Sequence, residues 1–230
     1  MERPGKLIAE GRDSNIYEFG HGKVLRRSRN GRSQANEAKI MQHVRARGFP
    51  TPEVFSVSDD GLDMVMARVE GRTMIDALSV QPWKMRHFAR ELSRLHVSLH
   101  RLDAPEWLPA APGGSGDSLL HMDLHPLNVM LSNEGPVVLD WANASRGNPL
   151  VDVAATWVLL ACAEVTGSHL ETLLARVGRT YFLHAYLGAF SKIELETVLS
   201  DVVEWKRRDP HMSASEIQRM HALLERHSAN

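Results

Sequence analysis

Up to Val69 the chain is cut by turn residues into strand-length pieces around a single helix, and beyond Gly71 it becomes mostly helical; that change restricts its fold more than any other feature. Lys6 to Glu10, Asn15 to Phe19 and Lys23 to Arg27 are separated by Gly11-Arg12-Asp13 and Gly20-His21-Gly22, whose turn chemistry predicts a three-strand meander. Ser33 to Arg47 carries Ala35, Ala38, Ile40, Met41 and Val44 near helical spacing and stops at Gly48-Phe49-Pro50. Strand-like pieces return at Glu53 to Val57 and Leu62 to Val69, so the order is β-β-β-α-β-β. After Gly71 come a short helix at Thr73 to Leu78 and a long one at Pro82 to Leu102, with Phe88, Leu92, Leu95 and Leu99 on one face. Further helices are expected near Val153 to Val165, His169 to Leu187 and Lys192 to Lys206, and after Ser213. Residues 1–70 should form a small lobe and residues 71–230 a larger one.

With 43% hydrophobic and 24% charged residues the chain has the balance of a soluble globular protein, and a net charge of -1 provides no field for nucleic acid. Cys162 is the sole cysteine, which excludes an intrachain disulfide and is compatible with a reducing compartment. Met1 to Glu10 lacks the layout of a secretory signal, and Val153 to Ala163 is about half the ~20 residues of a membrane span. A cytoplasmic protein is expected, with no membrane and no nucleic-acid partner. Lys206-Arg207-Arg208 lies among Glu196, Asp201, Glu204 and Asp209 and reads as a solvated face. Ala104 to Asp117, rich in proline and glycine, reads as a surface connection in preference to a substrate lid. Trp83, Trp107, Trp141, Trp157 and Trp205 read as core or half-buried packing residues, with Trp141 shaping the site.

The chemistry is concentrated in His121-Met122-Asp123-Leu124-His125-Pro126-Leu127-Asn128, followed by apolar Val129-Met130-Leu131, a turn at Asn133-Glu134-Gly135, and Pro136-Val137-Val138-Leu139-Asp140-Trp141. Phosphoryl transfer asks little covalent chemistry of a protein; it needs a carboxylate at the acceptor hydroxyl and oxygen ligands for the Mg²⁺ that bridges the phosphates. Asp123, Asn128 and Asp140 offer those groups, and a hairpin entered after Asn128 would return the chain to nearly the same place at Asp140. His121, Asp123 and His125 also permit a zinc-hydrolase reading, which leaves Asn128 and Asp140 unexplained.

This pattern resembles the aminoglycoside phosphotransferase family, relatives of the protein kinases, whose catalytic loop reads H-x-D-x-x-x-x-N before a hairpin ending in aspartate. Gly147-Asn148-Pro149-Leu150-Val151-Asp152 is similar to the family's G-x-P-x-x-D segment. The resemblance implies a two-lobed, protein-kinase-like α+β fold with an antiparallel-sheet N-lobe and a mainly helical C-lobe. It implies transfer from ATP or GTP, with Mg²⁺, to the hydroxyl of a small molecule.

Carried over residue by residue, Asp123 would be the catalytic aspartate, Asn128 and Asp140 the magnesium ligands, and His121 and Asp152 supports of the catalytic loop. Ser14, beside Gly11, would touch phosphate, although that loop alone is an ordinary hairpin turn. Arg26 would present the cation to the α- and β-phosphates, paired with Glu37 on the following helix; the family's usual lysine is absent there, and an exposed ion pair is the alternative. Strand phase favours Arg26 over Lys23. Met66 would line the adenine site, with the backbone of Ala67 and Val69 binding the base. Asn143 stands where the family often carries an acid, which blurs the acceptor's identity. The region after Asp152 has near-equal acidic and basic side chains, unlike a pocket for a polycation, unless folding gathers Glu164, Glu171 and Asp201. A nucleotide-binding pseudoenzyme and a protein kinase are the remaining alternatives; against the second, there is no extended segment between Asp140 and Asp152.

Overall fold

The computed structural model describes residues 4–164 and 169–227, with the side chains of 169–175 excluded; Glu171 and the Val165 end of one expected helix therefore lie outside the described residues. The chain forms two compact units. One comprises Met1–Arg72 together with Val129–Ala142, the other Thr73–Asn128 together with Asn143–Asn230. A single boundary at Gly71 does not describe this division, because the 129–142 segment rejoins the first unit.

In the first unit β1 (Leu7–Glu10), β2 (Ser14–Glu18), β3 (Lys23–Ser28), β4 (Val54–Val57) and β5 (Asp63–Ala67) form an antiparallel sheet in the order β1-β2-β3-β5-β4. The meander holds in register, with Ser14 opposite Ser28 and Ile16 opposite Arg26. β3 then pairs with β5, Arg26 opposite Met64. Helix α1 (Ala35–Arg45) turns Glu37, Ala38, Ile40, Met41 and Val44 inward. It ends before Gly48, whose φ of +80° suits only glycine well.

The chain leaves this unit through a two-residue strand, β6 (Arg72–Thr73). At Gly71 a Cβ would lie 2.2 Å from the Leu131 carbonyl oxygen, so no side chain fits there.

The second unit is mainly helical: α2 (Met74–Val80), a 3₁₀ turn at Pro82–Lys84, then α3 (Met85–Leu99). The apolar stripe of α3 is buried as its spacing predicts, and Leu92 and Leu99 are fully covered, each contributing about 2 kcal/mol. Strand β7 (Ser118–Leu120) follows; the hairpin β8 (Val129–Ser132) and β9 (Gly135–Val138) returns to the first unit; β10 (Ser145–Gly147) then pairs antiparallel with β7. The three-residue β7 and β10 were not foreseen, being too short to show a period.

Helix α4 (Pro149–Cys162) starts with Asn148 capping the Leu150 amide at 3.0 Å and Pro149 in its first turn. Its residues from Val151 to Val158 are all buried. Helices α5 (His169–Leu187), α6 (Lys192–Arg207) and α7 (Ala214–His227) complete the unit.

Segment 104–117 is strapped down: Ala111 donates to the Arg146 carbonyl and Arg146 to that of Pro109, both at 2.8 Å. Two tryptophans depart from expectation. Trp141 and Trp157 are core residues, but Trp83 is 76% exposed and Trp107 is exposed as well, because each sits in a turn that turns no face inward. Cys162 is buried, and burial pushes its thiol up to about 11, so it packs and does not react. Among the described residues no helix is long and apolar enough to cross a membrane.

Candidate active site

In the first unit Ser14, Glu37 and Asp140 gather around Arg26. Its Nε donates to Ser14 Oγ at 2.9 Å, Nη1 bonds Glu37 Oε1, and Nη2 lies 3.3 Å from Asp140 Oδ1. The planar guanidinium fork makes three such contacts at once, which an ammonium group on a thinner stem does not reproduce.

The alternative of an exposed pair does not hold, since the Arg26 and Glu37 side chains are only 13% and 6% exposed. Burial alone would lower the guanidinium's proton affinity, but Glu37 and Asp140 outweigh it and hold Arg26 firmly protonated. Lys23 lies instead 4.4 Å from the centre of the Phe55 ring.

Glu37 also accepts the Trp141 amide at 3.1 Å, while the Trp141 indole donates to Thr51 Oγ1 at 3.0 Å and packs edge-on against Phe49. Trp141 thereby anchors the end of the hairpin, and Asp140 stands beside it with a φ of +60°.

The Gly11 turn is closed by its amide on the Ser14 carbonyl at 2.9 Å and tied to the end of β3 by Arg29. At the end of β5 the Ala67 amide donates to the Glu53 carbonyl, and just beyond it the Arg68 amide donates to that of Gly22. What remains of the proposed base-binding backbone is the Ala67 carbonyl and the Val69 amide. Met66 is half-buried on the same strand.

In the second unit the loop 121–128 is built on Asp152. This fully buried carboxylate, in the first turn of α4, accepts the amides of His121 at 2.9 Å and Met122 at 2.7 Å and lies 3.0 Å from His100 Nε2. Burial opposes its ionisation, but the hydrogen bond from His100 and the neighbouring imidazoles of His96, His100 and His121 hold it far below the usual carboxylate range.

The two bonded amides hold Met122 at a φ of +65°. Met122 and Asp140 are the two non-glycine residues with positive φ among those described, and each costs about 1–3 kcal/mol that the surroundings must hold. Met122 precedes the candidate Asp123, and Asp140 is itself a candidate group.

His121 is fully buried, with its Nδ1 3.3 Å from the Asp123 amide. Asn128 Nδ2 donates to the Asp123 carbonyl at 2.9 Å and lies 3.3 Å from Oδ2, which orients the amide and leaves Oδ1 as its outward acceptor. His125 Nε2 stands 3.7 Å and Lys206 Nζ 3.8 Å from the Asp123 carboxylate. Burial works against charge at Asp123, yet His125, Lys206 and His121 together keep its carboxyl below the ordinary range. Among the described residues no three His, Cys, Asp or Glu are grouped to hold a metal ion, so the zinc-hydrolase reading has no ligand cluster.

Several residues of this arrangement were not foreseen. His96 is fully buried on α3, with Nδ1 3.2 Å from both the Leu92 carbonyl and the Tyr186 hydroxyl and Nε2 3.4 Å from Thr156 Oγ1. Thr156 in turn donates to the Leu124 carbonyl at 2.7 Å. The signal available was a histidine within the apolar stripe of α3.

Sealed from solvent, the His96 imidazole is lowered to about 4, burial outweighing the attraction of Asp152. The unfolded chain takes up this proton near 6.5, so the neutral ring contributes stability that is complete above that pH and is lost as pH falls towards 4. Urea unfolding of wild type between pH 7 and 4.5 should lose up to about 3 kcal/mol through this residue. His96→Gln should flatten that slope, and an unchanged slope would refute the assignment.

A sequence profile of the phosphotransferase enzyme family (APH) matches residues 4–114 and 104–190. A probable serine/threonine-protein kinase BUD32 homolog of Archaeoglobus fulgidus is 30% identical over 112 residues, 49% of this chain and 46% of that protein, so the match spans less than half of its length. Among solved structures, the aminoglycoside phosphotransferase APH(4)-Ia in complex with AMP-PNP and hygromycin B superposes with a TM-score of 0.66 at 16% identity, covering 98% of this chain and 94% of that one. A choline/ethanolamine kinase family protein from Mesorhizobium loti gives 0.58 at 15% identity, covering 98% and 89%. At these identities the likeness is one of fold, protein-kinase-like with mixed α and β structure.

Proposed function

Since the chain belongs to the phosphotransferase enzyme family, we propose that it is a small-molecule kinase that transfers the γ-phosphoryl group of ATP or GTP to a hydroxyl group. The observation that carries this most is Asp123, a largely buried carboxylate kept ionised by its neighbours on a loop braced through two amides to Asp152. A carboxylate so fixed is suited to orient an acceptor hydroxyl and take its proton as the new O–P bond forms.

Arg26, positioned by Ser14 and Glu37, is the group for the α- and β-phosphates. Ser14 would support the phosphates, and Met66, the Ala67 carbonyl and the Val69 amide the base. Asn128 Oδ1 and the Asp140 carboxylate, 43% exposed, are each hard oxygen donors of the kind Mg²⁺ prefers, and they would be its protein ligands. When bound, it would neutralise charge on the phosphates. His121 and Asp152 hold the loop. The named substrates of the neighbours, hygromycin B and choline among them, support a small hydroxyl compound as acceptor.

A pseudoenzyme is the second reading, favoured by one observation: Ser14, Glu37 and Asp140 already engage Nε, Nη1 and Nη2 of Arg26. Release of nucleoside diphosphate from MgATP and MgGTP should be measured across amino alcohols, sugars and hydroxylated antibiotics. Acceptor-dependent release, lost in Asp140→Ala, is expected. Magnesium-dependent nucleotide binding with no release for any acceptor would favour the pseudoenzyme, and no nucleotide binding would overturn both.

A further inference from the structure

On α6 the residues Leu195, Val198, Leu199, Val202 and Val203 form a buried stripe, and the next position on that face is Lys206. The side chain of Lys206 is only 7% exposed, so it does not belong to a solvated face with Arg207 and Arg208. Its stem continues the apolar stripe, and its ammonium lies between two carboxylates, 3.8 Å from Asp123 Oδ1 and 3.4 Å from Asp209 Oδ2. The Trp205 ring is 5.6 Å away on one side. Asp209 is itself fixed, its Oδ1 accepting the His211 amide at 3.0 Å.

A buried carboxylate beside the reacting hydroxyl is what a cationic acceptor would require, since its ammonium must exchange water for a fixed negative partner. Here Asp123 and Asp209, both within 4 Å of the ammonium, already share its charge. An acceptor carrying its own ammonium at this place would meet Lys206 and the His125 ring instead. We propose that Lys206 sets the acceptor class: its ammonium fills the cation subsite between Asp123 and Asp209, and the site takes a neutral or anionic hydroxyl compound. This rests on Asp123 being the residue that receives the acceptor. Lys206 acts by charge and occupancy, so Lys206→Arg should preserve the preference.

Two measurements test it, one independent of turnover. Lys206→Met keeps the buried stem and removes the charge; Lys206→Ala removes both. Thermal unfolding of each should be raised by millimolar choline or n-propylammonium but not by the neutral 3,3-dimethyl-1-butanol or n-propanol, while wild type responds to none of them. No cation-specific rise in either variant would overturn the proposal even if the enzyme is a kinase. In the second measurement, acceptors matched in shape but not in charge are compared with MgATP: choline against 3,3-dimethyl-1-butanol, and serinol against glycerol and glycerate. Wild type should favour the uncharged or anionic member by at least about tenfold in kcat/KM. Lys206→Met should lose that margin, mainly through the KM of the cationic member. A wild type that prefers the cationic members would overturn the proposal. Absence of any nucleotide-dependent turnover would count against the kinase, and the cation response would still decide whether Lys206 fills a cation subsite.

Discussion

In Asp123→Asn, acceptor-dependent diphosphate release should fall by about 10²- to 10⁴-fold in kcat, while the affinity for MgATP stays within a few-fold of wild type. The amide keeps the size and most hydrogen bonds of the carboxylate but accepts no proton. Its Oδ1 would still face Lys206 and its neighbour Asn128 would still bond the residue 123 carbonyl, so the loop has no reason to move. Steady-state kinetics paired with nucleotide titration separates the two effects. A variant that retains wild-type kcat would remove Asp123 from the chemistry, whereas parallel loss of nucleotide binding would mean that the substitution had disturbed the fold.

Asp152→Ala should lower the free energy of unfolding by about 3–5 kcal/mol, because it strands two buried amides and a histidine that share one carboxylate. Against a total stability of about 5–15 kcal/mol this is a large fraction. Urea denaturation at pH 7 would read it directly. The same carboxylate gives a pH signature: its folded value is depressed, so its contribution is present above the ordinary value of 3.8 and declines as pH falls below that. Asp152→Asn should cost less, since one amide partner and His100 still find an acceptor. An alanine variant as stable as wild type would mean that Met122, at a φ of +65°, is held by something else.

What was legible in the sequence follows from how local each signal is. The meander, α1 and the stripe of α3 depend on spacings of two to four residues, and they formed where turn residues and periodicity placed them. The grouping of Arg26 with Glu37, and of His121 with Asp152, was available from the resemblance. Less legible were contacts decided by burial at long range. Lys206 sits on the apolar stripe of α6, yet two neighbouring arginines made the whole run look solvated. His96 was hidden for the opposite reason, a polar ring whose partners Tyr186 and Thr156 are remote in sequence. The Ala67 amide could not be assigned until the carbonyl of Glu53 was seen to take it. Trp83 and Trp107 show that an aromatic residue in a turn carries no period to say which way it faces.

The first unit is completed by a piece of chain made much later than the rest. Glu37 waits for the amide of Trp141, 104 residues on, and Arg26 for Asp140, 114 residues on. At about 5–20 residues per second of synthesis, the sheet and α1 emerge several seconds before the hairpin that takes up their buried charges. Until the ribosome has passed Ala142, Glu37 has Arg26 as its only partner of the pair, and the nascent sheet holds an unfinished polar centre. The order of translation therefore makes the last step in building the first unit the arrival of the hairpin that leads to Asp140.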